Sequence, residues 1–134
     1  MAGDKRALIS TLSDYKTFAD CSRGDISALV EAGGPFALPA GWPLVQEGIP
    51  ADACYVLTEG EARVFHKREQ IATLGPGDLV GEITLLGGGQ RSATVTSSTR
   101  VTGLRIENDK LRPLLDKHPK LAEAFRAVYM AHRG

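Results

Sequence analysis

The chain has 134 residues, of which 43% are hydrophobic and 24% are charged. This composition supports a buried core and excludes intrinsic disorder. The 16 basic and 16 acidic residues give a formal net charge of zero, which excludes the basic excess that is typical of nucleic-acid binders. Two cysteines make no disulfide framework, and no apolar run suits a signal peptide or a membrane span. We therefore expect a single cytoplasmic domain over residues 1–134.

The N-terminal quarter has the pattern of helices. Apolar residues recur every three or four positions over residues 5–18, which predicts an amphipathic helix with a break near Ser13. Ser22 and Asp25 have the spacing of a capping box, so a second helix should begin there. A Gly-Gly-Pro run should end that helix. Residues 5–32 are therefore predicted to be helical.

The middle of the chain, residues 36–106, has the pattern of short strands. Runs of β-forming residues are separated by glycine-containing turns, which indicates an antiparallel sandwich or barrel. Within one such run, Ala62 and Val64 share one face, whereas Arg63 and Phe65 share the other. This alternation fits a β jelly roll with polar outer faces.

Helix returns at the C-terminus, over residues 108–133. Asn108 is a suitable N-cap, and Pro113 should kink the helix that follows. Pro119 suits the first turn of a further helix. The apolar stripe of that last helix consists of Leu121, Ala124, Phe125 and Val128.

One glycine-rich stretch, residues 75–96, is poor in charge. Between residues 71 and 99 the only charged side chains are Asp78, Glu82 and Arg91. We expect a short helical turn to begin at Gly81, so that its free N–H groups and the positive end of its dipole point outward.

Such a helix end binds phosphate, and Gly81 has no Cβ to keep a ligand from the backbone. Arg91 can add a charged fork for two phosphate oxygens, and Ser92 can add a hydroxyl donor. The carboxylate of Glu82 can accept a hydrogen bond from a sugar hydroxyl. A phosphate together with a ribose hydroxyl indicates a nucleotide.

Two segments carry a resemblance to a known family. Gly81-Glu82-Ile83-x-Leu85 and Arg91-Ser92-Ala93-Thr94 resemble the phosphate-binding cassette of the cyclic nucleotide-binding domains. That family includes catabolite activator proteins, regulatory subunits of protein kinase A and cyclic nucleotide-gated channels. The resemblance implies a mainly β fold with flanking helices: an antiparallel jelly roll, also called a double-stranded β-helix. It places the cassette at residues 80–95.

The resemblance also implies a role for each cassette residue. Glu82 would accept from the ribose 2′-hydroxyl, and the amides of Ile83 and Thr84 would face the cyclic phosphate. Arg91 would pair with an equatorial phosphate oxygen, and Ser92 with Ala93 would close the site. The full set of implied ligand-binding residues is Val80, Gly81, Glu82, Ile83, Thr84, Arg91, Ser92 and Ala93, with Ala62 and Val64 as a wall for the base.

The implied ligand is a cyclic nucleotide, and no further cofactor is expected. Cyclic AMP is favoured because cyclic-GMP binders of this family prefer threonine at the position of Ser92; cyclic GMP stays an alternative. Thr84 stands where the family usually has glycine or alanine. The resemblance implies a regulatory module that senses cyclic AMP and relays binding through its C-terminal helix to a partner or output domain.

Three other function classes compete with this interpretation. A metal enzyme of the cupin type needs clustered histidines, but His66, His118 and His132 are far apart on one predicted strand and two helices. We therefore expect no enzyme, no catalytic residue and no metal site. A DNA-binding role would need a further helix-turn-helix and positive charge, so direct DNA binding is not expected. The remaining alternative is a roll that binds no nucleotide and serves as a protein-interaction module.

Expected partners are a cyclic nucleotide and an effector protein or domain. The chain should be a monomer or a homodimer formed through its C-terminal helix. We expect both cysteines, Cys21 and Cys54, to pack in the core. The single tryptophan, Trp42, should pack in the core or at a turn.

Overall fold

The computed structural model describes residues 2–49, 51–81 and 93–133. The described residues form four α-helices, a 3-10 helix and eight β-strands. In chain order these are α1 (Ala2–Ser13), a 3-10 helix (Lys16–Phe18), α2 (Arg23–Ala32), β1 (Gly34–Leu38), β2 (Pro43–Val45), β3 (Ala53–Glu59), β4 (Ala62–His66), β5 (Glu69–Leu74), β6 (Leu79–Val80), β7 (Thr94–Ser97), β8 (Val101–Glu107), α3 (Asn108–Lys117) and α4 (Pro119–Arg133).

The strands form two four-stranded antiparallel sheets. One sheet has the order β1-β8-β3-β6, and the other has the order β2-β7-β4-β5. Apart from the β4–β5 hairpin, successive strands alternate between the sheets as in a jelly roll. Helices flank the roll at both ends of the chain, so the predicted fold class is confirmed. We call the sheets the helix-facing sheet and the outer sheet, respectively.

Two hydrophobic cores lie on the two faces of the helix-facing sheet. The helix-side core joins that sheet to the helices, and its largest fully buried members include Phe18, Ile26, Leu104, Leu111, Leu121 and Phe125. The roll interior lies between the two sheets and consists of Leu44, Val45, Leu57, Ala62, Leu74, Val80, Val95 and Val101. Strand alternation in β3 produces both, because Cys54 and Val56 face the helices whereas Leu57 faces the roll.

Several local predictions hold at the N-terminus. The first helix ends at Ser13, where the break was expected. Ser22 and Asp25 form the predicted capping box: the Ser22 hydroxyl accepts from the Asp25 amide, and the Asp25 carboxylate accepts from the Ser22 amide. The helix then ends at Ala32, directly before the Gly-Gly-Pro run.

Some other local predictions are wrong, and others are confirmed only in part or stay predictions. The N-cap of α3 is Glu107 rather than Asn108, because the Asn108 amide group instead donates to the carbonyl of Ala51. Pro113 lies inside α3, which continues to Lys117, and the expected kink there stays a prediction. Of the two places expected for Trp42, the structure has the turn and not the core, because the residue directly follows a turn before β2 and is 54% exposed. The first strand begins at Gly34, before the predicted start of the roll.

None of the helices among the described residues combines the length and the apolar character that a bilayer crossing requires.

Candidate functional site

The predicted cassette connects the two sheets. Strand β6 belongs to the helix-facing sheet, where Leu79 and Val80 pair with Val56 and Tyr55 of β3. Ala93 is buried and directly precedes β7, which belongs to the outer sheet. The chain therefore leaves one sheet at the start of the cassette and enters the other sheet at its end.

Part of the predicted site lies outside the described residues. This applies to Glu82, Ile83, Thr84, Arg91 and Ser92, and also to the short helix expected after Gly81. The described candidates are the two ends of the cassette, Val80 with Gly81 and Ala93, and the proposed wall of Ala62 and Val64.

Gly81 is required by the backbone at the start of the cassette. Its φ is +96°, a conformation that residues with a Cβ rarely adopt. A Cβ at this position would also lie 2.5 Å from the carbonyl oxygen of Ala53. The glycine thus allows the chain to turn closely past the start of β3. This backbone requirement explains Gly81 independently of the role in ligand approach that the sequence suggested.

The turn before β6 fixes the direction in which the cassette starts. The amide of Gly77 donates to Leu57, and the amide of Leu57 donates to Asp78, at 2.8 and 3.0 Å. The Asp78 carboxylate accepts from the amide of Gly75 at 2.8 Å. The hydroxyl of Thr17 in the 3-10 helix donates to the carbonyl of Gly77 at 2.7 Å. Main-chain and side-chain bonds from both sides therefore hold this turn in place.

The far end of the cassette is tied to the outer sheet. The hydroxyl of Thr94, the residue after Ala93, accepts from the amide of Glu47 at 3.0 Å. The Glu47 carboxylate in turn accepts from the amide of Lys67 at 2.8 Å. Glu47 thereby connects the start of β7 to the tip of the β4–β5 hairpin, a role that the sequence pattern did not reveal.

Three of the predicted site residues come together in or beside the roll interior. Val80 and Ala62 are almost fully buried members of this core, and Val64 packs against it while half-buried. Because Ala62 and Val64 are two positions apart in β4, they point to the same side of the sheet. Ala62 lies inside the core, and Val64 lies at its edge, where the core becomes accessible to solvent.

Ala72 on β5 is a site candidate that the sequence reasoning missed. It is the cross-strand partner of Val64, just as Leu74 is the partner of Ala62. Directly paired residues share a face, so Ala72 extends the same surface as Val64, and it is exposed whereas Leu74 is buried. The alternation of Ala72 with Leu74 was visible in the sequence, but the pairing that places it beside Val64 was not.

The described residues offer little reactive chemistry. No group of three or more His, Cys, Asp or Glu side chains within the described ranges could hold a metal ion. Cys54 is fully buried. Burial, together with neighbouring carboxylates, raises the pKa of Cys21 to about 11, so this thiol stays protonated at neutral pH.

Comparisons with known proteins agree with this architecture. The profile of the family described as "Cyclic nucleotide-binding domain" matches residues 35–118. A CRP-like cAMP-activated global transcriptional regulator from Mycobacterium tuberculosis is 29% identical over 108 residues, covering 77% of this chain and 48% of the relative. A cAMP-dependent protein kinase regulatory subunit from Aspergillus fumigatus is 34% identical over 110 residues, covering 81% of this chain and 24% of the relative.

A solved structure shows the same fold. The catabolite activator protein of Thermus thermophilus superposes with a TM-score of 0.77 and 25% identity, covering 87% of this chain and 57% of that one. The chain spans less than half the length of the two curated relatives. These relatives are named for regulation, as an activated regulator and a regulatory subunit. Since the family profile matches well over half of the residues, the chain belongs to the cyclic nucleotide-binding domain family.

Proposed function

We propose that the chain senses cyclic AMP, which it binds between the two ends of the cassette and the open end of the roll interior. The observation that carries the proposal is the paired surface of Val64 and Ala72. At these two residues the core between the sheets becomes accessible to solvent. The cassette connects the two sheets that enclose this core. A flat apolar base fits against such a surface, with its sugar and phosphate toward the cassette.

For the cassette residues we propose the roles that the family resemblance implies. Glu82 accepts from the ribose 2′-hydroxyl, the amides of Ile83 and Thr84 face the cyclic phosphate, and Arg91 pairs with a phosphate oxygen. Ser92 and Ala93 complete the phosphate site. A charged fork and several backbone amides suit a phosphate that carries one negative charge.

The wall for the base consists of Val64 and Ala72 rather than Val64 and Ala62. Ala62 is fully buried, so it supports the wall from below. The small side chain of Ala72 leaves room for a purine beside Val64. Ser92 favours cyclic AMP over cyclic GMP by the family preference at that position.

Ligand binding would be transmitted to a partner through the ordering of the cassette and of α4. Phosphate capture fixes the cassette, and α4 then packs over the base. A partner protein or output domain that prefers this position of α4 is favoured by the ligand, and by linkage the partner strengthens ligand binding by the same factor. A second copy of the chain, paired through α4, is one such partner.

Calorimetric titration with cyclic AMP, cyclic GMP and 5′-AMP tests the proposal. We expect saturable binding of cyclic AMP, weaker binding of cyclic GMP and none of 5′-AMP, whose open phosphate carries more charge and a different shape. Absence of heat with all three, from a sample shown to be folded by circular dichroism, would favour a roll that serves only as a protein-interaction module.

The substitution Arg91→Ala then tests the site. We expect affinity for cyclic AMP to fall about 10- to 100-fold, because a hydrogen bond to a charged group contributes roughly 1.5–3 kcal/mol. Arg100→Ala is the matched control, since Arg100 is an exposed arginine in the turn before β8. Equal affinity of the Arg91 and Arg100 variants would contradict the assignment of the phosphate site.

A further inference from the structure

One arginine of the helix-facing sheet lies on the side of the roll interior. In β8, Val101 belongs to the roll interior, whereas Leu104 and Ile106 belong to the helix-side core. Because side chains alternate along a strand, Arg105 lies on the same face as Val101. The residue is half-buried there. A charged side chain on the inward face of a strand is uncommon, so its presence requires an explanation.

Arg105 belongs to a row of paired residues that crosses the helix-facing sheet and ends at the cassette. It pairs with Tyr55 of β3, and Tyr55 pairs with Val80 of β6. Val80 directly precedes Gly81, where the chain turns into the cassette. Since neighbouring strands lie about 4.8 Å apart, two strand spacings, or about 10 Å, separate the backbones of Arg105 and Val80. The long side chain of Arg105 is therefore on the same face as the start of the cassette and close to it.

A second row of paired residues lies opposite, in the outer sheet. Val45 pairs with Val95, Val95 pairs with Val64, and Val64 pairs with Ala72. Members of both rows belong to the same buried cluster, so the two rows face each other across the roll interior. Ala93, at the end of the cassette, is two positions before Val95. The cassette therefore begins beside the first row and ends beside the second.

A cavity of about 210 Å³ lies between Arg105 and the outer sheet. Arg105 and Tyr55 line it from one sheet, Val45 lines it from the other, and the loop between β2 and β3 contributes further lining residues. The ring of Tyr55 packs edge-on against Phe36, with 5.0 Å between the ring centroids, so this side of the cavity has a fixed wall. Liquid water occupies about 30 Å³ per molecule, so the cavity has room for a group of several heavy atoms, such as a phosphate.

The guanidinium group of Arg105 can accept an anionic partner. Within residues 2–49, 51–81 and 93–133, no side chain or backbone group forms a hydrogen bond or ion pair with it. Asp52 lines the same cavity but is exposed and makes no ion pair with Arg105. Partial removal of an unpaired charge from water is unfavourable, and an anion placed beside that charge offsets this cost. Phosphate is a suitable anion, because the planar guanidinium can bind two of its oxygens at once.

We propose that Arg105 is a second phosphate-binding cation, which contacts the cyclic phosphate from inside the roll while the cassette holds it from the other side. The inference rests on the proposed function, because the cyclic nucleotide supplies the anion. Val64 and Ala72 contact the base at one end of the facing rows, and Arg105 contacts the phosphate farther along them. The site thereby selects a nucleotide by its charge as well as by its base.

The substitution Arg105→Leu tests the proposal, because leucine removes the charge and suits an apolar interior. We expect affinity for cyclic AMP to fall about 10-fold, as for the loss of a hydrogen bond to a charged group. The urea midpoint of the ligand-free chain should not fall, whereas removal of an arginine with a merely structural role would lower it. Arg105→Lys keeps the charge without the planar fork and should recover at least half of the lost affinity.

The matched control is Arg63→Leu. Arg63 is an exposed arginine on β4, and it lies between Ala62 and Val64, so its side chain is on the outward face of the outer sheet. The control makes the same change of charge and size outside the roll interior. We expect it to bind cyclic AMP as the wild type does.

Equal affinities of the Arg105→Leu and Arg63→Leu variants for cyclic AMP overturn the inference. A lower urea midpoint in Arg105→Leu, or a loss of affinity that Arg105→Lys does not relieve, also overturns it. If Arg105→Leu does not fold, Arg105→Gln replaces it and is judged by the same outcomes.

A sulfate titration separates a failure of this inference from a failure of the proposed function. If the wild type binds no nucleotide, the proposed function is wrong, and the thermal midpoint in sulfate, at an ionic strength matched with sodium chloride, decides about Arg105. A rise in the midpoint that is lost in Arg105→Leu supports an anion site at this residue. An equal rise in both chains overturns it.

Discussion

The two faces of the helix-facing sheet differ in how completely they are closed. On the helix side, large residues such as Phe18, Leu121 and Phe125 are buried to 1% exposure or less. On the other side, the buried members of the roll interior are leucine, valine and alanine, without a buried aromatic residue, and this core ends at the half-buried Val64 and the exposed Ala72. Both faces come from the same alternating strands.

This difference separates two tasks. The helix side supplies most of the hydrophobic free energy and fixes where the helices sit, since burial of large apolar side chains is the dominant favourable contribution. At the open end of the roll interior, Val64 and Ala72 are only partly buried or exposed, so less apolar surface is removed from water there. Under the proposed function, a ligand that covers Val64 and Ala72 would complete the core on this side, and the open face would thereby respond to a small molecule.

The largest expected effect is on the closed face. Phe125→Ala should lower the free energy of unfolding by about 3–5 kcal/mol, because it leaves a cavity in a fully packed core. Val64→Ala, on the open face, should cost less than about 1.5 kcal/mol, since the residue is only half-buried. Urea unfolding of both variants measures the contrast. Equal losses would contradict the distinction between a closed and an open face.

The start of the cassette should be nearly as sensitive. Gly81→Ala combines a positive φ with a contact to the Ala53 carbonyl that is too short for a Cβ, so we expect a loss of about 3 kcal/mol. Gly41→Ala is the control, because Gly41 also has a positive φ of +84° but has open space around it. That control should cost about 1 kcal/mol. A similar loss for both glycines, measured by urea unfolding, would mean that close packing at Gly81 is unimportant.

Filling the open face should affect binding more than stability. Ala72→Leu adds volume beside Val64, so we expect affinity for cyclic AMP to fall at least about tenfold, with stability changed by no more than about 0.5 kcal/mol. Thr73→Leu is the matched control on the opposite face of β5, where Thr73 pairs with Arg63. Calorimetry compares the two, and equal affinities would remove Ala72 from the site.

The smallest expected effect is at the β4–β5 hairpin tip. Lys67 and Arg68 have φ values of +49° and +71°, the pattern of a type I′ turn, which prefers Asn-Gly. The double change Lys67→Asn with Arg68→Gly should therefore raise the free energy of unfolding by about 1 kcal/mol. The backbone bond from residue 67 to Glu47 can persist. A thermal melt that shows no gain would indicate that the tip carries no strain.

Local chemistry explains which parts of the fold were predictable. The capping box of Ser22 and Asp25, the start of α4 at Pro119 and the alternation in β4 each depend on residues a few positions apart. Such short-range rules act within one element, so the sequence pattern predicts them directly.

The remaining features depend on contacts between distant residues. Asn108 looked like a cap, but its side chain instead donates to Ala51, 57 residues away. The pairing of Val64 with Ala72 and that of His118 with Asp25 exist only once the roll and the helices are assembled. The exposure of Trp42 also follows from its position after a surface turn and not from its hydrophobicity.

The most direct test of the account is hydrogen exchange of the intact chain with and without saturating cyclic AMP. We predict slower exchange in peptides that cover β4, β5 and residues 79–96, a smaller effect in the second half of α4, and no change in α2. Protection confined to the helices, with none in the roll, would contradict a nucleotide site at the open face of the roll interior.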